Sequence, residues 1–100
     1  MTAYAIFAPE PCGADRLERR EIAVPAPGPG EILIRQTAIG VNFLDVYFRT
    51  GLYPWPVERD LILGSEGAGA VEAVGDGVSG FAPGDRVAYT VPNGAYASHR

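Results

Sequence analysis

The chain has one cysteine, one histidine and no lysine, so most of the residues that build metal centres and nucleophilic sites are scarce. Cys12 alone rules out an internal disulfide and a multi-cysteine metal site. It lies in the loop-like stretch "PEPCGA", where an inert thiol is expected. His99 is the only imidazole, and Ser65, Ser79 and Ser98 carry no motif context, so no nucleophile-and-base arrangement is legible. A zinc site from Cys12, His99 and carboxylates is the weakest reading that stays open. No run approaches the ~18 apolar residues of a membrane helix, and the start "MTAYAIFAPEP" has no basic segment of the signal-peptide kind. A cytoplasmic protein without membrane contact is expected. Basic charge is sparse too: all eight basic residues are arginine, the net charge is −4, and Arg19-Arg20 is flanked by Glu18 and Glu21. That pair reads as a self-compensated surface, and no basic stripe for nucleic acid is present.

What is abundant is punctuation. Thirteen glycines and nine prolines in 100 residues point to many turns and a strand-rich chain, with enough length for one core. "TAYAIFA" and "LERREIAV" read as two antiparallel strands at a sheet edge, the second closed by "PAPGPG". "EILIRQTAIG" reads as a longer central strand, with Ile32, Ile34 and Gln36 on one face and Leu33, Arg35 and Thr37 on the other. The period then changes. Phe43, Leu44, Tyr47 and Phe48 follow helical spacing, Asn42 suits the N-cap, Asp45 the first turn and Gly51 the stop. One short helix at residues 43–50 is predicted, followed by the stiff loop "LYPWPVERD". "LILGSEGAGAVEAVG" and "RVAYTV" return to strands, with the turns of "DGVSGFAPGD" between them. The fold class is mainly β with one helix, as a small open barrel.

The glycine cluster "GSEGAGAVEAVG" invites comparison with a dinucleotide fingerprint. That fingerprint needs a strand-to-helix turn, and no helix follows here. Its glycines read as close strand packing and bulges. Asn42, Tyr47 and Tyr53 remain as neutral hydrogen-bonding groups able to orient a polar planar ligand. Each also has a structural role open to it: cap, helix stripe and loop plug.

The series "AIGVNFLDVYFRTGLYP", "LGSEGAGAVEAVGDGVSGFAPGDRV" and "GAYASHR" resembles the N-terminal part of medium-chain dehydrogenases/reductases, in the quinone oxidoreductase branch. The resemblance runs from Ala3 to Arg100. It implies a GroES-like, partly open β-barrel over residues 1–100, with the family's Rossmann domain absent from this chain and expected beyond residue 100. In zinc alcohol dehydrogenases the position of Asn42 carries a cysteine ligand and that of Ser65 a histidine. The residues here imply a zinc-free enzyme with no metal. The resemblance assigns Asn42, Tyr47 and Tyr53, in the pattern N-x-x-D-x-Y-x-x-x-G-x-Y, to the wall beside the nicotinamide, as both catalytic and cofactor-binding residues. It places Asp45, Arg49 and Gly51 in the same wall. The helix is expected to bury Phe43, Leu44 and Phe48 while Asn42 and the tyrosine tips face the cofactor. Glu66 is expected to be structural, paired with an arginine.

The function so implied is transfer of reducing equivalents from NADPH to a quinone by a protein homodimeric at full length, the 100 residues alone being inactive. Two alternatives accompany it. One is an enoyl-thioester reductase of the same superfamily, with Tyr53 as proton donor. The other is a non-catalytic β-barrel that binds a partner through its aromatic loop. The end at "GAYASHR" is expected to leave the barrel incomplete, with an exposed edge.

Overall fold

The computed structural model describes residues 2–100. Its strands are β1 (Ala3–Ala8), β2 (Glu18–Ile22), β3 (Ile32–Gly40), β4 (Leu61–Ile62), β5 (Glu66–Val74) and β6 (Arg86–Thr90). The helix α1 (Phe43–Arg49) follows β3, and a 3₁₀ turn covers Ala14–Arg16. Two three-stranded antiparallel sheets result, ordered β2-β1-β4 and β3-β5-β6.

The last residues join them. Ile6 N–H donates to Tyr96 O and Ser98 N–H to Tyr4 O, both at 2.8 Å, which ties the C-terminal segment to β1. On its other side Ile34 and Arg100 exchange two bonds of 2.7 and 2.9 Å, and Gln36 N–H donates to Ser98 O at 2.9 Å. The two sheets thereby become one curved, partly open barrel. Alanines make this close approach possible: Ala3, Ala5, Ala8, Ala95 and Ala97 are all buried, and Ala5 bridges Ala97 directly. Leu61, Leu63 and Ala8 form the apolar cluster beneath α1, with Leu17, Phe48, Trp55 and Tyr96 packed against it.

Several expectations are corrected. β3 ends the β3-β5-β6 ladder, yet its outer side is taken by the segment around Ser98, so β3 is flanked on both sides and the stretch "GAYASHR" is itself paired, not left as an exposed edge. The simple alternation along β3 also fails, since Leu33 and Ile34 are both buried. A register shift between them turns consecutive side chains inward. Phe43, expected in the core, is 71% exposed, because the first turn of α1 faces away from the cluster that receives Phe48.

The glycine cluster is a strand, as its residues suggest, and close approach explains it. At Gly69 a Cβ would lie 2.1 Å from the Arg35 carbonyl oxygen, beside the second bulge of β3, at Gln36/Ala38. Backbone cannot retreat as a flexible side chain can. Gly69→Ala is therefore expected to destabilise the fold by about 2 kcal/mol or more, an overpacking cost. Gly77→Ala meets no neighbour within 4 Å and bears only its positive φ of 79°, for a cost of about 1 kcal/mol. Urea midpoints of the two variants should rank in that order; equal midpoints would refute the steric account.

Candidate functional site

The candidate wall is built by α1 and the loop after it. Asn42 is the N-cap in extended conformation, and the Asp45 carboxylate reaches back to accept its backbone N–H at 3.0 Å. This is the reciprocal arrangement that Asn and Asp three residues apart favour. At the other end Thr50 N–H bonds Val46 O at 2.9 Å and Gly51, with φ of +83°, ends the helix. Arg49 then ties the helix to the N-terminal loop: its guanidinium donates to Cys12 O, and Cys12 N–H donates back to Arg49 O, both at 2.9 Å.

Of the three predicted residues, two come together. The Tyr47 and Tyr53 rings lie 5.4 Å apart, with Phe43 on the far side of Tyr47 at 5.5 Å and Phe48 edge-on to Tyr53 at 5.5 Å. Such tilted contacts add roughly 1 kcal/mol each beyond burial. The backbone supports the pair, since Tyr53 N–H donates to Tyr47 O at 3.1 Å. Trp55 N–H donates to Phe48 O at 2.6 Å and fixes the loop from its other end. Asn42 stands at the start of the same helix. Its side-chain Nδ2 is buried and has no hydrogen-bond partner among the described residues. Neither the Tyr47 nor the Tyr53 hydroxyl is engaged by a side chain there, and Tyr53 is 41% exposed. The wall thus offers neutral, unengaged donors on a rigid aromatic backing.

A cleft of about 400 Å³ lies beside this wall, lined by Tyr4, Ile6, Arg19, Ile39, Val41 and Ser98 among others. Val41, next to Asn42 in sequence, lines the cleft; Asn42, Tyr47 and Tyr53 do not. Tyr53 stands on an open face, whereas Asn42 Nδ2 is buried.

Two polar residues have partners that the sequence does not reveal. Asp45 is only 5% exposed, and its Oδ2 accepts the Tyr96 hydroxyl at 2.6 Å as well as Asn42 N–H. A first-turn acid in a short helix signals a favourable dipole, but not a partner half a chain away. Burial and this bond to the Asp45 carboxylate raise the Tyr96 phenol well above its ordinary 10.0, so it stays a donor. Gln36 is the other. Its Nε2 donates to Ala95 O and Ala97 O, both at 2.8 Å, while Oε1 accepts the Tyr89 hydroxyl.

The remaining candidates disperse. His99 is 5% exposed, with Nδ1 2.9 Å from Ser98 Oγ and Nε2 3.2 Å from Glu72, too oblique for a hydrogen bond. Glu66 has no arginine partner among the described residues; the arginines pair with Glu10, Glu18, Asp60 and Glu72 instead. Its side chain lies over Gly40, where a Cβ would meet it. Among the described residues no three His, Cys, Asp or Glu side chains cluster as metal ligands, so Cys12 and His99 share no such group. None of the described helices is long and apolar enough to cross a membrane.

The raised phenol gives a test. Because Tyr96 holds its proton more tightly folded than unfolded, the stability it contributes is complete below the ordinary tyrosine pKa. It is lost as pH rises towards the folded value. Unfolding free energy is expected to fall between about pH 9 and 12, and Tyr96→Phe to flatten that fall. An identical alkaline slope in both proteins would show that Tyr96 is not the group responsible.

Known proteins place this geometry. The alcohol dehydrogenase GroES-like domain matches residues 28–99. A quinone oxidoreductase of Pseudomonas aeruginosa is 55% identical over 86 residues, which are 85% of this chain and 26% of that protein. A 2-haloacrylate reductase of a Burkholderia species is 46% identical over 92 residues, 88% of this chain and 27% of its own. The crystal structure of Escherichia coli quinone oxidoreductase complexed with NADPH superimposes with a TM-score of 0.91 at 40% identity, over 100% of this chain and 30% of that one. The chain therefore spans about a quarter of the curated relatives it matches. A domain match over most of the chain, with the same barrel in solved relatives, settles the family: the chain belongs to the alcohol dehydrogenase GroES-like domain family, in the quinone oxidoreductase branch of the medium-chain dehydrogenases/reductases.

Proposed function

We propose that this chain is the N-terminal, substrate-side portion of an NADPH-dependent quinone reductase that works without a metal, its nucleotide-binding domain lying beyond residue 100. The observation that carries the reading is Asn42 Nδ2, buried and partnerless at the start of the helix that bears Tyr47, whose ring pairs with that of Tyr53. An orphaned buried donor costs about 1–3 kcal/mol, a cost recovered when a carbonyl or carboxamide oxygen is seated against it. Both the nicotinamide carboxamide and a quinone present such oxygens. The relatives support the cofactor and the substrate class, one being named for quinone reduction and one solved with NADPH.

NADPH, when bound, supplies the hydride; the chain's own residues bind, orient and exclude water. Asn42 donates from Nδ2 to a planar acceptor without changing charge. Tyr47 and Tyr53 offer hydroxyl donors from a fixed pair of rings, so little order is lost on binding. Phe43, exposed beside Tyr47, extends the apolar surface over which a flat ring can lie. The donor set argues for metal-free chemistry, since an amide at 42 and a hydroxyl at 65 bind zinc poorly. A homodimer at full length and a cytoplasmic location complete the proposal.

A second reading has one specific support, the similarity to a 2-haloacrylate reductase, whose name denotes reduction of an activated alkene. There Tyr53, exposed and without a partner, would deliver the proton after hydride addition, as in an enoyl-thioester reductase. The two readings separate by mutation. Tyr53→Phe is expected to change mainly KM for a quinone reductase and to lower kcat by about 10²-fold for an enoyl reductase. The primary assay is NADPH oxidation with a simple quinone, on this chain and on the product of its gene read through to the stop codon. Turnover is expected in the longer product, insensitive to chelator, and lowered about tenfold or more by Asn42→Ala. If NADPH perturbs neither turnover nor Trp55 emission in the complete gene product, a non-catalytic binding barrel becomes the better account.

A further inference from the structure

We propose that Tyr96 and Asp45 form a positioning pair for Asn42, a role that rests on the reading of Asn42 as a donor to cofactor or substrate. The argument begins with cost. A carboxylate 5% exposed is retained only where hydrogen bonds replace its water, and Asp45 has two such bonds on one oxygen. One comes from Asn42 N–H at 3.0 Å and the other from the Tyr96 hydroxyl at 2.6 Å. Tyr96 itself is immobile. Its N–H donates to Leu63 O and its carbonyl accepts from Ile6 N–H, both at 2.8 Å, and its ring packs on the Ala8–Leu61–Leu63 cluster.

A continuous path therefore runs from the barrel to the wall. The backbone of β1 and the residue after β4 holds Tyr96, its hydroxyl holds Asp45, and Asp45 holds the backbone of Asn42. The need for such a path follows from the size of α1. Seven residues cannot sustain a helix alone, so its ends must be anchored by tertiary bonds. Arg49 to Cys12 anchors one end and Asp45 to Tyr96 the other. The second anchor differs in lying three residues from the one buried side-chain donor in the segment that has no partner. A local bond from Asp45 to Asn42 N–H would cap the helix without Tyr96. The tyrosine adds a fixed direction for Asp45, and hence for the amide that Asn42 presents.

The test combines turnover with a readout independent of it. In the full-length gene product, Tyr96→Phe keeps the ring in the core and removes only the hydroxyl. It is expected to lower kcat about tenfold, the scale of a sub-ångström misplacement, while KM moves less than about twofold. In an Asn42→Ala background the same change is expected to cost less than about twofold, because nothing remains to be positioned. Equal losses in both backgrounds would overturn the inference. Hydrogen exchange of the Asn42 amide, followed by NMR, is expected to speed up at least about tenfold in Tyr96→Phe while β5 amides hold their rates. Unchanged Asn42 exchange would likewise overturn it. Should Asn42→Ala turn over like the parent, the proposed role of Asn42 fails and the catalytic inference with it, whereas additivity with a large Asn42→Ala loss sinks the inference alone. If Tyr96→Phe does not fold, Asp45→Asn, which keeps the shape and removes the charge, is read by the same criteria.

Discussion

Everything in this fold hangs on one strip of backbone, Ala95 to Arg100, lying between two sheets that share no other ladder. β1 bonds it on one side and β3 on the other, while the Ala95 and Tyr96 amides donate to Gly64 and Leu63. Gln36 locks it in place: one side-chain amide donates to two carbonyls of the strip and accepts from Tyr89 of β6. An amide that satisfies three of its bonds in a half-buried setting is worth more than its parts, since loss of any partner strands the others. The lock also bears on a residue of another strand. A Cβ at Gly67 would crowd Gln36 Oε1 and the Tyr89 oxygen, so a bare strand there leaves the lock undisturbed.

The strip links fold to site, because Tyr96 belongs to it. The residue that pairs with β1 through its backbone is the residue whose hydroxyl meets the buried carboxylate of α1. A site built on a short helix and a loop would ordinarily inherit their looseness. Here both ends of the helix are fastened to parts of the chain far away in sequence, Cys12 and Tyr96, and Trp55 fastens the loop to the helix. Precision at Asn42, Tyr47 and Tyr53 is thus supplied from outside the segment that carries them.

The sequence disclosed what is local. The helix over 43–50 was legible from the spacing of its aromatics and from Asn42, Asp45 and Gly51, and it spans Phe43–Arg49. The strands, the turns between them and the strand character of the glycine cluster were legible from period and punctuation. What stayed hidden was non-local. The pairing of β3 on its outer side depends on a partner sixty residues later, and the bulge that buries both Leu33 and Ile34 leaves no mark in composition. Phe43 misled because apolar spacing names a face without saying how far the core extends along it. Gln36 looked like one polar residue in an alternating strand, and Asp45 like a first-turn acid of the site wall, with no sign of its burial. Tyr96 drew no notice, its partner being fifty-one positions away.

The charge in this region also acquires a reason. Asp45 is the only acid in the helix, and it is spent on two hydrogen bonds inside the protein. Arg49, the only base there, is committed to the Cys12 carbonyl. Among the polar side chains of residues 42–53, those left unengaged are an amide and two phenols, with an exposed phenyl ring beside them. A surface of that kind stabilises neither an incoming anion nor a cation by net charge. It suits a planar, neutral, oxygen-bearing ring, for which alignment and hydrogen bonding are the protein's whole contribution and the electrons come from elsewhere. In the proposed role, burying the charged residues as scaffold is what leaves the wall neutral, and the Tyr96 hydroxyl is the group that makes burial of Asp45 tolerable.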